Sequence, residues 1–108
     1  MKKLIVSCAL MVITLVSYAQ TYKMYSTRNY HNQLRLNTMT GEVQQIQDDG
    51  QSWEICSARE ASGDKVGRFC LYETQNMWTF ILLDSYNGRL WQVQYSTQDL
   101  DNLFCIPI

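Results

Sequence analysis

Beyond residue 20 the chain is a series of short runs rich in aromatic and branched side chains, each closed by Asn, Asp, Gly or Ser. Patterning of that kind predicts β-strands. Eight runs qualify: 22–27, 33–36, 42–47, 53–57, 68–73, 78–83, 89–95 and 103–106. No window carries a sustained helical stripe. The nearest, 97–103, holds two apolar residues and would make one turn at most.

The eight runs are four runs written twice. Residues 22–47 and 69–94 align at an offset of 47 without a gap, and seven of 26 positions are identical. These are Tyr25/Tyr72, Thr27/Thr74, Asn29/Asn76, Leu36/Leu83, Gly41/Gly88, Gln45/Gln92 and Gln47/Gln94. A further shift of two residues sets Cys56 on Cys105. A period of this length marks one supersecondary unit used twice, neither copy able to close a core alone. The expected fold is all-β: a small eight-stranded barrel or a two-sheet sandwich built from two tandem four-strand repeats. A compact barrel or strongly coiled sandwich is the favoured form. Repeat one covers about 22–57 and repeat two about 69–106 of a single domain, 20–108.

Asn37-Thr38-Met39-Thr40-Gly41 and Asp84-Ser85-Tyr86-Asn87-Gly88 each set an Asx residue four before a glycine. The Asx side chain caps such a turn, and Gly41 or Gly88 takes positive φ at little cost. A three-residue loop with a glycine bulge would place Leu34, Leu36 and Ile46 on one side, and Gln33, Arg35, Gln45 and Gln47 on the other. The same register in copy two puts Ile81, Leu83, Trp91, Val93 and Tyr95 inside, with Gln92 and Gln94 outside. Leu34/Ile81, Leu36/Leu83 and Ile46/Val93 are then expected to share the core. The outward positions of the second strand break the match: His31 becomes Trp78, Gln33 becomes Phe80 and Arg35 becomes Leu82. Three large apolar side chains on an outward face would form an unusual patch. They are open to three readings: burial by the protein's own chain, a homodimer interface, or an external partner. Trp53 can join any of these.

The segment Trp78-Thr79-Phe80-Ile81-Leu82-Leu83-Asp84, followed by Gly88-Arg89-Leu90-Trp91-Gln92-Val93-Gln94, resembles a motif of short, uncharacterised bacterial secreted β proteins. That likeness implies no particular activity. Asp84 to Trp91 also resembles the Asp-x-x-Thr-Gly-x-x-x-Trp signature of quinoprotein-type propeller repeats, with the tryptophan one residue early and Asn87 in place of the threonine. This second likeness covers one hairpin per copy and implies hairpin chemistry alone.

The first residues read as an address. Met1-Lys2-Lys3 is a positive start, Leu4 to Val16 an apolar run, and Ser17-Tyr18-Ala19 a small-x-small cleavage site. A signal peptide over 1–19 is expected, with the mature chain starting at Gln20. The apolar run is shorter than the roughly 20 residues of a spanning helix, so no stable membrane insertion is expected. It also continues past Cys8, which argues against lipidation there. Export places the protein in the periplasm or outside the cell. Removing Lys2 and Lys3 from nine basic residues leaves seven against ten acidic ones, a net charge of −3. With no basic cluster, nucleic acid and anionic membranes are not expected partners.

Cleavage leaves three cysteines in a compartment that permits disulfides. Cys56 and Cys70 fall on runs joined by the loop 59–66, so a hairpin would bring them near register. Cys56–Cys70 is the leading pairing, worth roughly 3 kcal/mol; another pairing or free thiols remain open.

Candidate chemistry is sparse. His31 is the only histidine, and with a cysteine it could form a nucleophile–base pair, but the register sets it on an outward face. No nucleophile elbow, metal-type Cys/His spacing or phosphate loop occurs, so no metal and no cofactor are expected. Asp48-Asp49-Gly50 and Asp99-Leu100-Asp101-Asn102 offer oxygens to calcium, and ordinary loop polarity explains them equally well. The expectation is a non-catalytic secreted or periplasmic binding protein. Its candidate contact residues are Trp78, Phe80, Leu82, Gln92, Gln94 and Trp53, and its partner an envelope protein, a glycan or a second copy. Two alternatives stand beside it. One is a small β-barrel inhibitor of a lysozyme or protease acting through the loop 59–66. The other is a glycan-binding module using Trp78 and the repeated glutamines.

Overall fold

A computed structural model describes residues 20–58, 65–97 and 100–108. The expected signal peptide and most of the 59–66 loop lie outside the described residues. Eight strands form where the sequence places them: β1 (Tyr22–Ser26), β2 (Asn32–Asn37), β3 (Val43–Gln47), β4 (Ser52–Cys56), β5 (Phe69–Glu73), β6 (Thr79–Asp84), β7 (Leu90–Gln94) and β8 (Phe104–Pro107). A single 3-10 turn covers Leu100–Asn102. The strands make two antiparallel meanders, β1-β2-β3-β4 and β5-β6-β7-β8. The sheets stay open and pack on each other, so the architecture is the two-sheet sandwich and not the closed barrel.

The repeat extends to the side-chain caps of the turns and to the first two ladders of each sheet, whereas the third differs, with a register shift between Val43 and Gln44 in β3–β4 and none in β7–β8. Thr27 Oγ1 donates to the Asn32 carbonyl at 2.7 Å, as Thr74 Oγ1 does to Thr79 at 2.8 Å. Asn29 Oδ1 accepts from His31 N–H, as Asn76 Oδ1 does from Trp78 N–H. Asn37 Oδ1 accepts from Met39 N–H and Asp84 Oδ1 from Tyr86 N–H. Gly41 and Gly88 take φ of 82° and 78°. The turn identities Thr27/Thr74, Asn29/Asn76 and Gly41/Gly88 are thus accounted for by side-chain caps and positive φ.

The strand register differs from the expected one. Asn37 N–H donates to the Glu42 carbonyl and Asp84 N–H to the Arg89 carbonyl, so each turn encloses four residues, not three. Leu34 consequently faces Gln45, Arg35 faces Gln44 and Gln33 faces Ile46. In copy two Phe80 faces Val93, Ile81 faces Gln92 and Leu82 faces Trp91. Gln45 therefore points inward, and Ile46 lies on the outer face. The interior accepts Gln45 because its carboxamide is fully used. Nε2 donates to Asn32 Oδ1 at 2.7 Å and to the Ser96 carbonyl at 2.6 Å, while Oε1 accepts from Ser96 N–H.

A second difference is larger. The two copies bury opposite faces of the same unit. Copy one turns Leu34, Leu36, Val43 and Gln45 inward, all buried. Their equivalents Ile81, Leu83, Leu90 and Gln92 are half-buried or exposed on the outside of copy two. Copy two turns Phe69, Leu71, Phe80, Leu82, Trp91, Val93 and Tyr95 inward. Their equivalents Tyr22, Met24, Gln33, Arg35, Gln44, Ile46 and Asp48 lie on the outside of copy one. The expected pairs Leu34/Ile81, Leu36/Leu83 and Ile46/Val93 each place one member in the core and the other outside. Sheet packs on sheet front to back, as consecutive units of a stack would.

The disulfide joins Cys56 to Cys105, with Cα atoms 5.4 Å apart, and leaves Cys70 free. The expected Cys56–Cys70 bridge fails because β4 and β5 are not a hairpin: they belong to different sheets. Cys56 and Cys105 sit on the edge strands β4 and β8, so the bond ties one sheet to the other.

Candidate functional site

Trp78, Phe80 and Leu82 project toward the first sheet. Phe80 and Leu82 are buried, and Trp78 stacks at a tilt on Tyr95 with ring centroids 5.1 Å apart. Of the three readings left open, the cover is the protein's own chain. Trp53 is half-buried on β4 opposite Gln45, also on the inward side. Gln92 and Gln94 lie on the outer face of the second sheet, where Gln94 Nε2 donates to the Asn102 carbonyl at 3.0 Å. Trp78 and these glutamines therefore occupy opposite faces and do not combine into one glycan platform. Gln45 and Gln47 face inward, not outward.

The outer face of the second sheet is the open surface the sequence reading missed. Opposed residues of an antiparallel ladder share a face. One row is Tyr72, Ile81, Gln92 and Ile106; the next is Cys70, Leu83 and Leu90, beside which Ile108 N–H donates to the Leu90 carbonyl. Tyr72 is 52% exposed, Ile106 48% and Leu90 38%. These two rows lie about 7 Å apart along the strands and run roughly 14 Å across the four of them. Contiguous, partly exposed apolar side chains on one sheet face are where contact surfaces form. The outer face of the first sheet is different in kind. It carries Ser26, Gln33, Arg35, Gln44 and Glu54 around Met24 and Ile46. Arg35 Nη2 donates to Gln44 Oε1, and its guanidinium also lies over the Tyr22 ring at 5.5 Å.

A signal for this face was present in the repeat. Apart from the three turn pairs, the identities are Tyr25/Tyr72, Leu36/Leu83, Gln45/Gln92 and Gln47/Gln94. All four lie on the same face of the unit, inward in copy one and outward in copy two. The signal was unreadable without the four-residue turn, because a one-residue slip exchanges the faces.

Other groups with chemical potential are elsewhere. Arg68 and Asp84 form a buried bidentate pair, Nε to Oδ1 at 2.8 Å and Nη2 to Oδ2 at 2.7 Å. The hydrogen bonds from Arg68 hold the Asp84 carboxyl below its ordinary value, against the opposing effect of burial, and the Tyr86 N–H adds to the lowering. The same bonds raise Arg68. Arg68 also packs over the Tyr86 ring at 4.7 Å. The pair locks the second sheet's turn to the start of β5. His31 Nδ1 lies 2.7 Å from Asp48 Oδ2 in an exposed pair beside an open depression of about 380 Å³. The free thiol of Cys70 borders a groove of about 310 Å³ with Tyr25, Thr38 and Phe69. Among the described residues no group of three or more His, Cys, Asp or Glu is placed to hold a metal ion. Among them, too, no helix is long and apolar enough to cross a membrane. The loop 59–66 expected of an inhibitor lies mostly outside the described residues, and no Cys56–Cys70 bond closes its base. No protein-family model, curated protein or solved structure matches this chain.

Proposed function

We infer that this is a non-catalytic secreted or periplasmic interaction protein that works by contact, through the outer face of the β5–β8 sheet. The observation that carries this reading is the open row Tyr72–Ile81–Gln92–Ile106, whose first three residues repeat the inward-facing Tyr25–Leu34–Gln45 of the first sheet. A unit that retains the make-up of a buried face, and leaves it open, is built to be covered. The His31–Asp48 and Arg68–Asp84 pairs fit capping and locking of turns. The test is a contact map. The protein is crosslinked in the cell that exports it, and the wild type is compared with Leu83→Arg. Loss of every specific crosslink from the second sheet, with the fold retained, supports the reading. Crosslinks unchanged by Leu83→Arg would place the functional contact elsewhere.

A further inference from the structure

We propose that the occupant of this face is a second copy of the same chain, set on it face to face about a two-fold axis. The inference rests on the interaction reading above and names its partner.

Three observations carry it. First, the face has a precedent within the molecule. Tyr25, Leu34, Leu36, Val43 and Gln45 already bury this side of the unit against another sheet, and copy two repeats them as Tyr72, Ile81, Leu83, Leu90 and Gln92. Second, the chain offers two open sheet faces as partners for it. The outer face of the first sheet would bring Arg35, Glu54, Gln33 and Gln44 against Ile81, Leu83 and Leu90. Burying those charges and amides on an apolar surface costs several kcal/mol unless each finds a partner. The apolar face itself meets its like without that cost. Third, the symmetry closes. Head-to-tail addition leaves a new apolar face open at every step and grows without limit unless it curves into a ring. A two-fold contact covers both apolar faces at once, and the outer faces left at the two ends are those carrying Arg35 and Glu54.

Gln92 fixes the register of such a pair. It lies at the centre of β7, a central strand, between Leu90 and Gln94 on the same face, so a two-fold axis over the centre of the sheet brings it near its own copy. A carboxamide both donates and accepts, so two glutamines related by the axis can bond reciprocally. Gln45 performs the equivalent task inside the monomer, where the peptide of Ser96 is its partner.

Sedimentation equilibrium of the purified protein tests this. The wild type is expected to be a dimer at tens of micromolar. Leu83→Arg is expected to raise the dimer Kd about 100-fold or more, because it buries two unpaired charges. Gln92→Glu keeps the side chain's size and places two carboxylates on the axis; it is expected to dissociate the dimer, whereas Gln92→Leu leaves it intact. Near-ultraviolet circular dichroism unchanged from wild type separates loss of the contact from loss of the fold. A wild-type protein that stays monomeric at millimolar concentration overturns the proposal. So does a dimer that survives Leu83→Arg and is broken by Met24→Arg on the other outer face. A monomer in which Leu83→Arg still abolishes crosslinks to another protein ends the self-pairing while leaving the interaction reading in place. If Leu83→Arg changes neither mass nor crosslinks, both fail.

Discussion

The two sheets of this sandwich have the same strand order, the same caps and the same turn glycines, yet they differ in which side they hide. The first buries the side bearing Leu34 and Leu36 and gives Gln33, Arg35 and Gln44 to water. The second buries the side bearing Phe80 and Leu82 and leaves Ile81, Leu83 and Leu90 outward. Backbone geometry is therefore insensitive to which face becomes core, and side-chain chemistry makes the choice. Most of the changes of polarity between copies fall on one face, with Lys23/Cys70 an exception on the other. Gln33/Phe80, Arg35/Leu82 and Gln44/Trp91 change from polar to apolar, whereas Leu34/Ile81, Leu36/Leu83 and Gln45/Gln92 hold their character. The first sheet has a finished exterior; the second has an exterior with the composition of an interior.

The sharpest way to break this comparison is to exchange equivalent residues. Leu82→Arg writes copy one's residue into copy two at a fully buried position. It should cost more than about 4 kcal/mol and abolish cooperative unfolding in a thermal melt. The reverse change, Arg35→Leu, should leave the melting temperature within a few degrees of wild type. Equal effects of the two would mean that the faces are not inverted.

The next effect concerns what holds the inverted faces together. The Cys56–Cys105 bond spans 49 residues of chain, a separation worth about 4 kcal/mol through the unfolded state. Cys56→Ser or Cys105→Ser should lower stability by an amount of that order in chemical denaturation. Cys70→Ser should not, because that thiol is free.

Much of this was legible in the sequence, and the failures share one physical origin. The strands, the two units and the capped turns follow from local residue types, and all eight strands form within a few residues of their expected bounds. Register does not follow from local types. A three-residue turn separates Leu34, Leu36 and Ile46 cleanly from the glutamines, whereas the structure uses four residues and buries Gln45. That becomes acceptable through a bond to Ser96, a residue of the other copy, which no reading of one hairpin can see. The same distance hides the Cys56–Cys105 pairing, since neighbours in sequence looked like neighbours in a sheet. The Arg68–Asp84 pair was missed because its members occupy positions held by Thr21 and Asn37 in copy one. Once register slipped, the open face was assigned to the wrong three residues.

Smaller effects sharpen the comparison at the turns. A Cβ added at Gly88 meets no neighbouring atom within 4 Å, so the cost of Gly88→Val is expected to be mainly conformational. About 1–2 kcal/mol is expected at this positive φ, and Gly41→Val should cost at least as much. Matching melting-point losses would confirm the turns as equivalent.

Acid separates the two turns. Asp84 has a folded value below its ordinary 3.8. A depressed carboxylate contributes stability that is complete above its unfolded value and disappears as pH falls through the folded one. Stability should therefore decline below about pH 4, and Asp84→Asn should flatten that decline while lowering stability at neutral pH. Asn37, the equivalent in copy one, does not titrate, so Asn37→Asp should introduce a second acid-sensitive turn. Denaturation midpoints measured against pH give both results.

The central claim is that one outer face belongs to water and the other to a partner sheet. It is tested most directly by methyl resonances in the presence of a soluble paramagnetic probe. The account predicts strong broadening of the Met24 and Ile46 methyls, and protection of the Ile81, Leu83 and Leu90 methyls that disappears in Gln92→Glu. Equal broadening of both sets in the wild-type protein, unchanged by that substitution, would contradict it.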